Sequence, residues 1–180
     1  MLSSKSQQNG KIASASKTIK MNLLKQIISF ILPVTVLIIV PINIESNWSI
    51  LFGWNLIFGF ILIIAGLTIM VLTISTFIQI GKGTLAPWSP TKQLVVVGLY
   101  RYVRNPMILG VFTVLLGETT CIWSVALLQW SAAFFVINTI YFILYEEPGL
   151  ENRFGEDYLN YKKQVPRWIP RLIPFDSDKN

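Results

Sequence analysis

Four apolar runs, separated by connections that alternate between strongly basic and not basic at all, dominate this chain. The runs are Leu23–Ile44, Ile50–Ile80, Asn105–Thr120 and Cys121–Tyr145. A helix needs about 20 apolar residues to cross the hydrocarbon core of a bilayer, and three of the four runs reach that length. The third is short for a full crossing and reads as one arm of a helical hairpin with the fourth. The second is longer than a crossing needs. Its span proper is expected over about Leu56–Ile80, entered through an interfacial region at Trp48 and Trp54. Pro33 should kink the first run, which a membrane helix tolerates. Gly53, Gly59 and Gly66 offer close helix approach, although no pair has the four-residue GxxxG spacing. The fold class expected is an all-α integral membrane protein with about four transmembrane helices, the third and fourth forming a hairpin.

Charge tests that topology. With the N-terminus in the cytoplasm and four crossings, the cytoplasmic segments hold all fifteen basic residues. Lys5, Lys11, Lys17, Lys20 and Lys25 precede or open the first run. Lys82, Lys92, Arg101 and Arg104 lie in the middle loop. Arg153, Lys162, Lys163, Arg167, Arg171 and Lys179 lie in the tail. The far side keeps only Glu45 and Glu118. Such segregation follows the positive-inside rule, so the net charge of +6 reflects membrane topology. No nucleic-acid motif is visible, and no nucleic-acid partner is expected. Charged residues make up 13% of the chain, about half of what a soluble domain carries. Residues 1–20 read as a flexible cytosolic tail, with no small-residue site for signal cleavage after the apolar run. Residues 21–180 read as one domain, with both termini cytosolic. The compact size favours a bacterial plasma membrane, with the endoplasmic reticulum as the alternative.

The absence of histidine removes His-based triads, His general bases and His-rich metal sites, and no metal is expected. Cys121 sits in an apolar run and reads as a small hydrophobe. Polar chemistry is left to Glu, Asp, Arg, Lys, Asn and Tyr, with a bound cofactor. Two segments concentrate these residues. In one, Glu146 and Glu147 directly follow the fourth apolar run. Carboxylates there oppose the helix dipole and are costly near hydrocarbon. They call for Arg101 or Arg104 as partner, or for a cationic or hydroxyl-rich ligand; a solvated helix end or a structural ion pair would meet the same need. In the other segment, Arg101 and Arg104 precede Asn105-Pro106, which fit the cap and first position of a helix. This is either a membrane anchor or an anion site at a helix N-terminus. The Gly81-Lys82-Gly83-Thr84 motif is weak alone, and a helix C-cap accounts for Gly81. The prolines closing the chain (VPRWIPRLIPF) argue against a helix continuing past Glu146.

The segment GLYRYVRNPMILG, followed about forty residues later by EEPGLENRFGEDYLNYKKQVPRWIPR, resembles the membrane methyltransferase superfamily. That group includes isoprenylcysteine carboxyl methyltransferases and phospholipid N-methyltransferases. Its pattern is R-H-P-x-Y-x-G, a glutamate pair, F-G-x-x-Y-x-x-Y and V-P-x-x-I-P. The resemblance covers roughly residues 80–172, the expected catalytic part. It implies S-adenosyl-L-methionine as cofactor and methyl transfer, at the membrane–cytosol boundary, to a lipid or hydrophobic small molecule. Carried onto this sequence, it places Gly81, Gly83, Leu94, Val95, Tyr100, Arg104, Asn105, Pro106, Glu146 and Glu147 around the cofactor. Of these, Arg104, Asn105 and Glu147 would stand at the catalytic centre. Two departures stand out: the family histidine is Asn105, and the tyrosine two residues after the proline is Ile108. Residues 131–145 also hold no Arg or Lys, which argues against a prenylcysteine carboxylate bound in the family's manner. The alternatives are a non-catalytic scaffold of the same fold and a nicotinamide-dependent reductase of related fold.

Overall fold

The computed structural model describes residues 31–46, 48, 52–81 and 94–176. Residues 1–20, the opening of the first apolar run and Gly83 lie outside the described residues. Among the described residues all regular structure is helical. Helix α1 covers Ile31–Ile44. It is followed by α2 (Trp54–Gly81), a 3-10 turn (Gly98–Arg101), α3 (Pro106–Ile122), α4 (Val125–Tyr141) and α5 (Glu147–Gln164). Two runs are long and apolar enough to cross a bilayer: Trp54–Thr76, and the continuous helical path from Val125 to Gln164. Helices α1 and α3 are shorter and apolar. The 17 residues of α3 correspond to about 25 Å at 1.5 Å per residue.

The outward faces of α2 and α4 are apolar. Phe58, Ile61 and Ile64 on α2, and Val136, Ile137 and Ile140 on α4, are all more than half exposed. A water-facing helix would carry polar residues there, so lipid is the solvent these faces fit. Hydroxyls within the helices turn back to their own backbone. Thr68, Thr73, Thr113, Thr120 and Thr139 each donate to the carbonyl four residues earlier, which satisfies them without water.

Helices α2 and α3 form the closest pair and run antiparallel. Glycines set seven residues apart, two helical turns, face each other across the contact: Gly59 with Gly117, and Gly66 with Gly110. A Cβ on Gly66 would lie 2.6 Å from the Gly110 carbonyl oxygen, and one on Gly117 would lie 2.7 Å from the Gly59 oxygen. Two of the three expected glycines therefore carry a close approach. Gly53 does not. The core beside this seam gathers Met70, Val111, Val114, Leu115 and Phe134.

The hairpin of α3 and α4 forms as expected, but its turn falls at Trp123-Ser124 rather than before Cys121. Cys121 and Ile122 are buried and finish α3. Trp123 takes the left-handed conformation (φ 57°), and Ser124 accepts from the Leu127 amide at 3.2 Å as the cap of α4. Ser124 also donates to the Glu45 carboxylate, tying the end of α1 to this turn.

The helix expected to stop at Glu146 instead continues to Gln164, ending just before Pro166. A π-turn over Phe142–Glu146 makes this possible. Pro148 can donate no N–H, and its ring would crowd the carbonyl four residues back. The wider turn relieves both, with the Glu147 amide donating to the Phe142 carbonyl five residues earlier. The same device precedes Pro41 in α1: Thr35–Ile39 is a π-turn, and the Val40 amide bonds to the Thr35 carbonyl. Further along, α5 breaks at Gly155 (φ 52°, ψ −128°). Beyond the break, buried Tyr158 and Tyr161 pack with Val165 and Phe175 against Leu94 and Val96.

Candidate functional site

Charge gathers at the end of the bundle where α3 begins and the apolar part of α4 gives way to α5. Glu147 is 3% exposed, and both of its oxygens are engaged by cations. Oε1 pairs with Arg104 at 3.0 Å and accepts from Arg167 Nε at 2.6 Å. Oε2 accepts from the second arm of the Arg167 fork at 3.0 Å and pairs with Lys162 at 3.2 Å. Lys162 also pairs with Glu151 at 2.5 Å. Hydrogen bonding to Glu147 pushes the Arg167 guanidinium above its ordinary range, so this pair stays ionised. Of the two arginines expected to partner the glutamates, Arg104 does so. Arg101 does not; it binds the Phe175 carbonyl at 2.5 Å and lies 3.9 Å from Asp176.

The side chain of Arg104 is 9% exposed. One terminal nitrogen reaches Glu147 and, at 3.4 Å, the Tyr158 hydroxyl. Its Nε is buried and has no acceptor among the described residues. Glu146 lies one residue before the saturated Glu147 and forms no ion pair among the described residues. Tyr141 lies close enough to interact with it. Burial, and then the negative charge of Glu146, push the Tyr100 phenol above its ordinary range. Among the described residues, then, Glu146 and Tyr100 interact, and the Tyr100 carbonyl accepts from the Tyr161 hydroxyl at 2.7 Å.

The tail closes over this end. The Arg104 amide donates to the Pro166 carbonyl at 3.0 Å, the Arg171 amide to Tyr102 at 3.0 Å, and the Phe175 amide to Arg101 at 2.9 Å. Trp168 packs on Phe135 and Phe142, with ring centroids 4.9 and 5.9 Å apart. Between the 3-10 turn and the start of α3 lies an apolar cavity of about 220 Å³, which Arg104 does not line. It is walled by Ile69, Leu99, Val103, Pro106 and Leu109, with Pro170 from the tail.

The other expected site residues distribute as follows. Pro106 occupies the first turn of α3 and is buried. Asn105 is the capping residue by position, but its side chain makes no capping hydrogen bond, which corrects the expectation of an Asn cap. Val95 is buried, and Leu94 packs on the Tyr158–Tyr161 cluster. Gly81 ends α2, away from the ion cluster in sequence. The reading of the sequence named neither Arg167 nor Lys162 as a site residue, although both grip Glu147. Only the surplus of basic residues in the tail hinted at them.

Comparison with known proteins bears on the same residues. The family model for phospholipid methyltransferases matches residues 54–157. That stretch runs from the start of α2 through Arg104, Glu146 and Glu147, and stops just short of Tyr158. Human protein-S-isoprenylcysteine O-methyltransferase is 39% identical over 88 residues, which cover 46% of this chain and 29% of that protein. The matched stretch is thus under a third of the relative's length. No solved structure matches. With the family model covering more than half of its length, the chain belongs to the phospholipid methyltransferase family.

Proposed function

We propose that this chain is an S-adenosylmethionine-dependent methyltransferase that works at the membrane surface on a lipid or hydrophobic small molecule. The observation that carries this reading is Arg104: a nearly buried guanidinium just before α3, beside a glutamate pair, with a buried Nε that lacks an acceptor among the described residues. An orphaned buried donor of this kind calls for an acceptor, and a guanidinium edge matches a carboxylate. S-adenosylmethionine carries a carboxylate, an ammonium and a ribose diol, so the residues present fit it. Arg104 would hold the carboxylate. Glu146 is the glutamate with capacity left to accept from the ammonium or the ribose hydroxyls. When bound, the cofactor supplies a methyl group on a sulfonium, open to direct displacement. The protein's part is to align the acceptor and keep water out. The tail strap binds the Arg104 backbone, and the apolar cavity walled by Val103 and Pro106 would give a hydrophobic acceptor a place to lie.

The non-catalytic reading rests on Asn105 and Ile108, since Asn105 stands where the family carries a histidine. Calorimetric titration of S-adenosylmethionine into the detergent-purified chain, with NADPH titrated in parallel, separates the readings. Saturable binding of S-adenosylmethionine alone is the expected result. Binding of NADPH instead would make the chain a reductase, and binding of neither to folded protein would leave a scaffold.

A further inference from the structure

A carboxylate offers about four lone-pair sites, and Glu147 already receives four contacts from Arg104, Arg167 and Lys162. It has no capacity left for a ligand. Arg104 is in the opposite condition, with a buried Nε lacking any acceptor among the described residues. The two conditions are linked. Arg167 grips both oxygens of Glu147 in a bidentate fork, which fixes the plane of the carboxylate. Lys162 occupies the outer flank of Oε2. Arg104 makes a single contact with Glu147, at Oε1, and its Nε edge does not engage the carboxylate. Three cations share Glu147 and, through Lys162, Glu151, leaving one positive charge in excess. Arg167 is itself placed by the strap, through the Pro166 carbonyl that receives the Arg104 amide and through Val165, only 1% exposed. Tyr158, Lys162 and Arg167 all lie beyond the stretch matched by the family.

We propose that Arg167 and Lys162 are positioning residues. By saturating Glu147 they keep the Nε edge of Arg104 unpaired and aimed, so that it takes the carboxylate of the methyl donor. This rests on the reading of the site as a donor pocket. The test uses two probes in the full detergent-purified chain. S-adenosylhomocysteine has the amino-acid end; 5′-methylthioadenosine shares the nucleoside and the thioether but lacks that end.

The parent should prefer S-adenosylhomocysteine. Arg167→Met should weaken S-adenosylhomocysteine roughly ten- to a hundredfold, as expected for a lost charge-assisted contact, and leave 5′-methylthioadenosine within about twofold. Arg167→Lys, which keeps the charge without the fork, should fall between. Lys162→Gln, at a side chain 35% exposed, should shift the same ratio by less, and it carries the test if Arg167→Met does not fold. An unchanged ratio, or an equal loss of both probes, would overturn the positioning role and leave these residues as ties of the fold. A parent that binds neither probe would strike the methyltransferase reading itself.

Discussion

Glu146 and Glu147 are neighbours in sequence, yet one is locked among three cations and the other forms no ion pair among the described residues. Substitution should therefore separate them. Glu147→Gln leaves Arg104, Arg167 and Lys162 around a neutral group. Breaking a buried ion pair from one side costs roughly 3–5 kcal/mol, so the midpoint of thermal unfolding in detergent should drop sharply. Glu146→Gln should leave that midpoint nearly unmoved while weakening S-adenosylmethionine binding. If both variants behave alike, the division of roles is wrong. The pair itself was legible in the sequence, because charge beside an apolar run needs a partner, and Arg104 was among the partners named. The other two grips were not. Arg167 lies 20 residues from Glu147 and reaches it only because the tail folds back. No local pattern announces that return, and Lys162-Lys163 reads as ordinary basic residues.

Two devices fix the helices in register. The first is the π-turn before a proline, which appears at both Pro41 and Pro148. The end expected at Glu146, where the apolar run stops ahead of the prolines that close the chain, came too early, because one wider turn absorbs Pro148 and carries Glu147 onward into α5. The turn in α1 has a further use: the Val36 carbonyl within it accepts from Trp130 at 3.1 Å, joining α1 to α4. The second device is the paired glycines of α2 and α3. Gly66→Val places a side chain against the Gly110 backbone, where even a Cβ would sit at 2.6 Å. Neither backbone can yield without separating the helices. A loss of at least about 1–3 kcal/mol follows from overpacking of this kind, measurable as a lower unfolding midpoint. Gly149→Ala is the contrasting case. Its Cβ meets nothing within 4 Å, and it lies inside α5, so the change should gain about 0.5–1 kcal/mol from helix propensity. Equal effects from the two substitutions would mean that the glycine seam is not a packing constraint.

At the scale of the whole molecule, the charge segregation seen along the sequence reappears in space. The apolar runs and the hairpin were legible because their lengths and hydropathy are set by the bilayer, independently of tertiary detail. Helix ends were less so, since capping at Ser124 and the π-turn at Phe142–Glu146 depend on single residues. Every described basic residue lies in the 3-10 turn, at the start of α3, in α5 or in the tail, all belonging to the end that carries Glu147. Glu45 and Ser124 meet at the opposite end. The positive-inside rule predicts that the basic end faces the cytosol, the side where a soluble nucleoside cofactor would reach the candidate donor pocket. Single cysteines at exposed positions test this directly. Ser46→Cys, near Glu45, should react with a membrane-impermeant maleimide in intact cells. Lys163→Cys, in the last turn of α5, should react only after the membrane is opened. Cys121 is 8% exposed and should give little background. The reverse pattern would invert the protein and put Arg104 on the outer face, where the proposed cofactor would have no access. Equal labelling of both positions in intact cells would place them on one side and break the span count on which the fold is read.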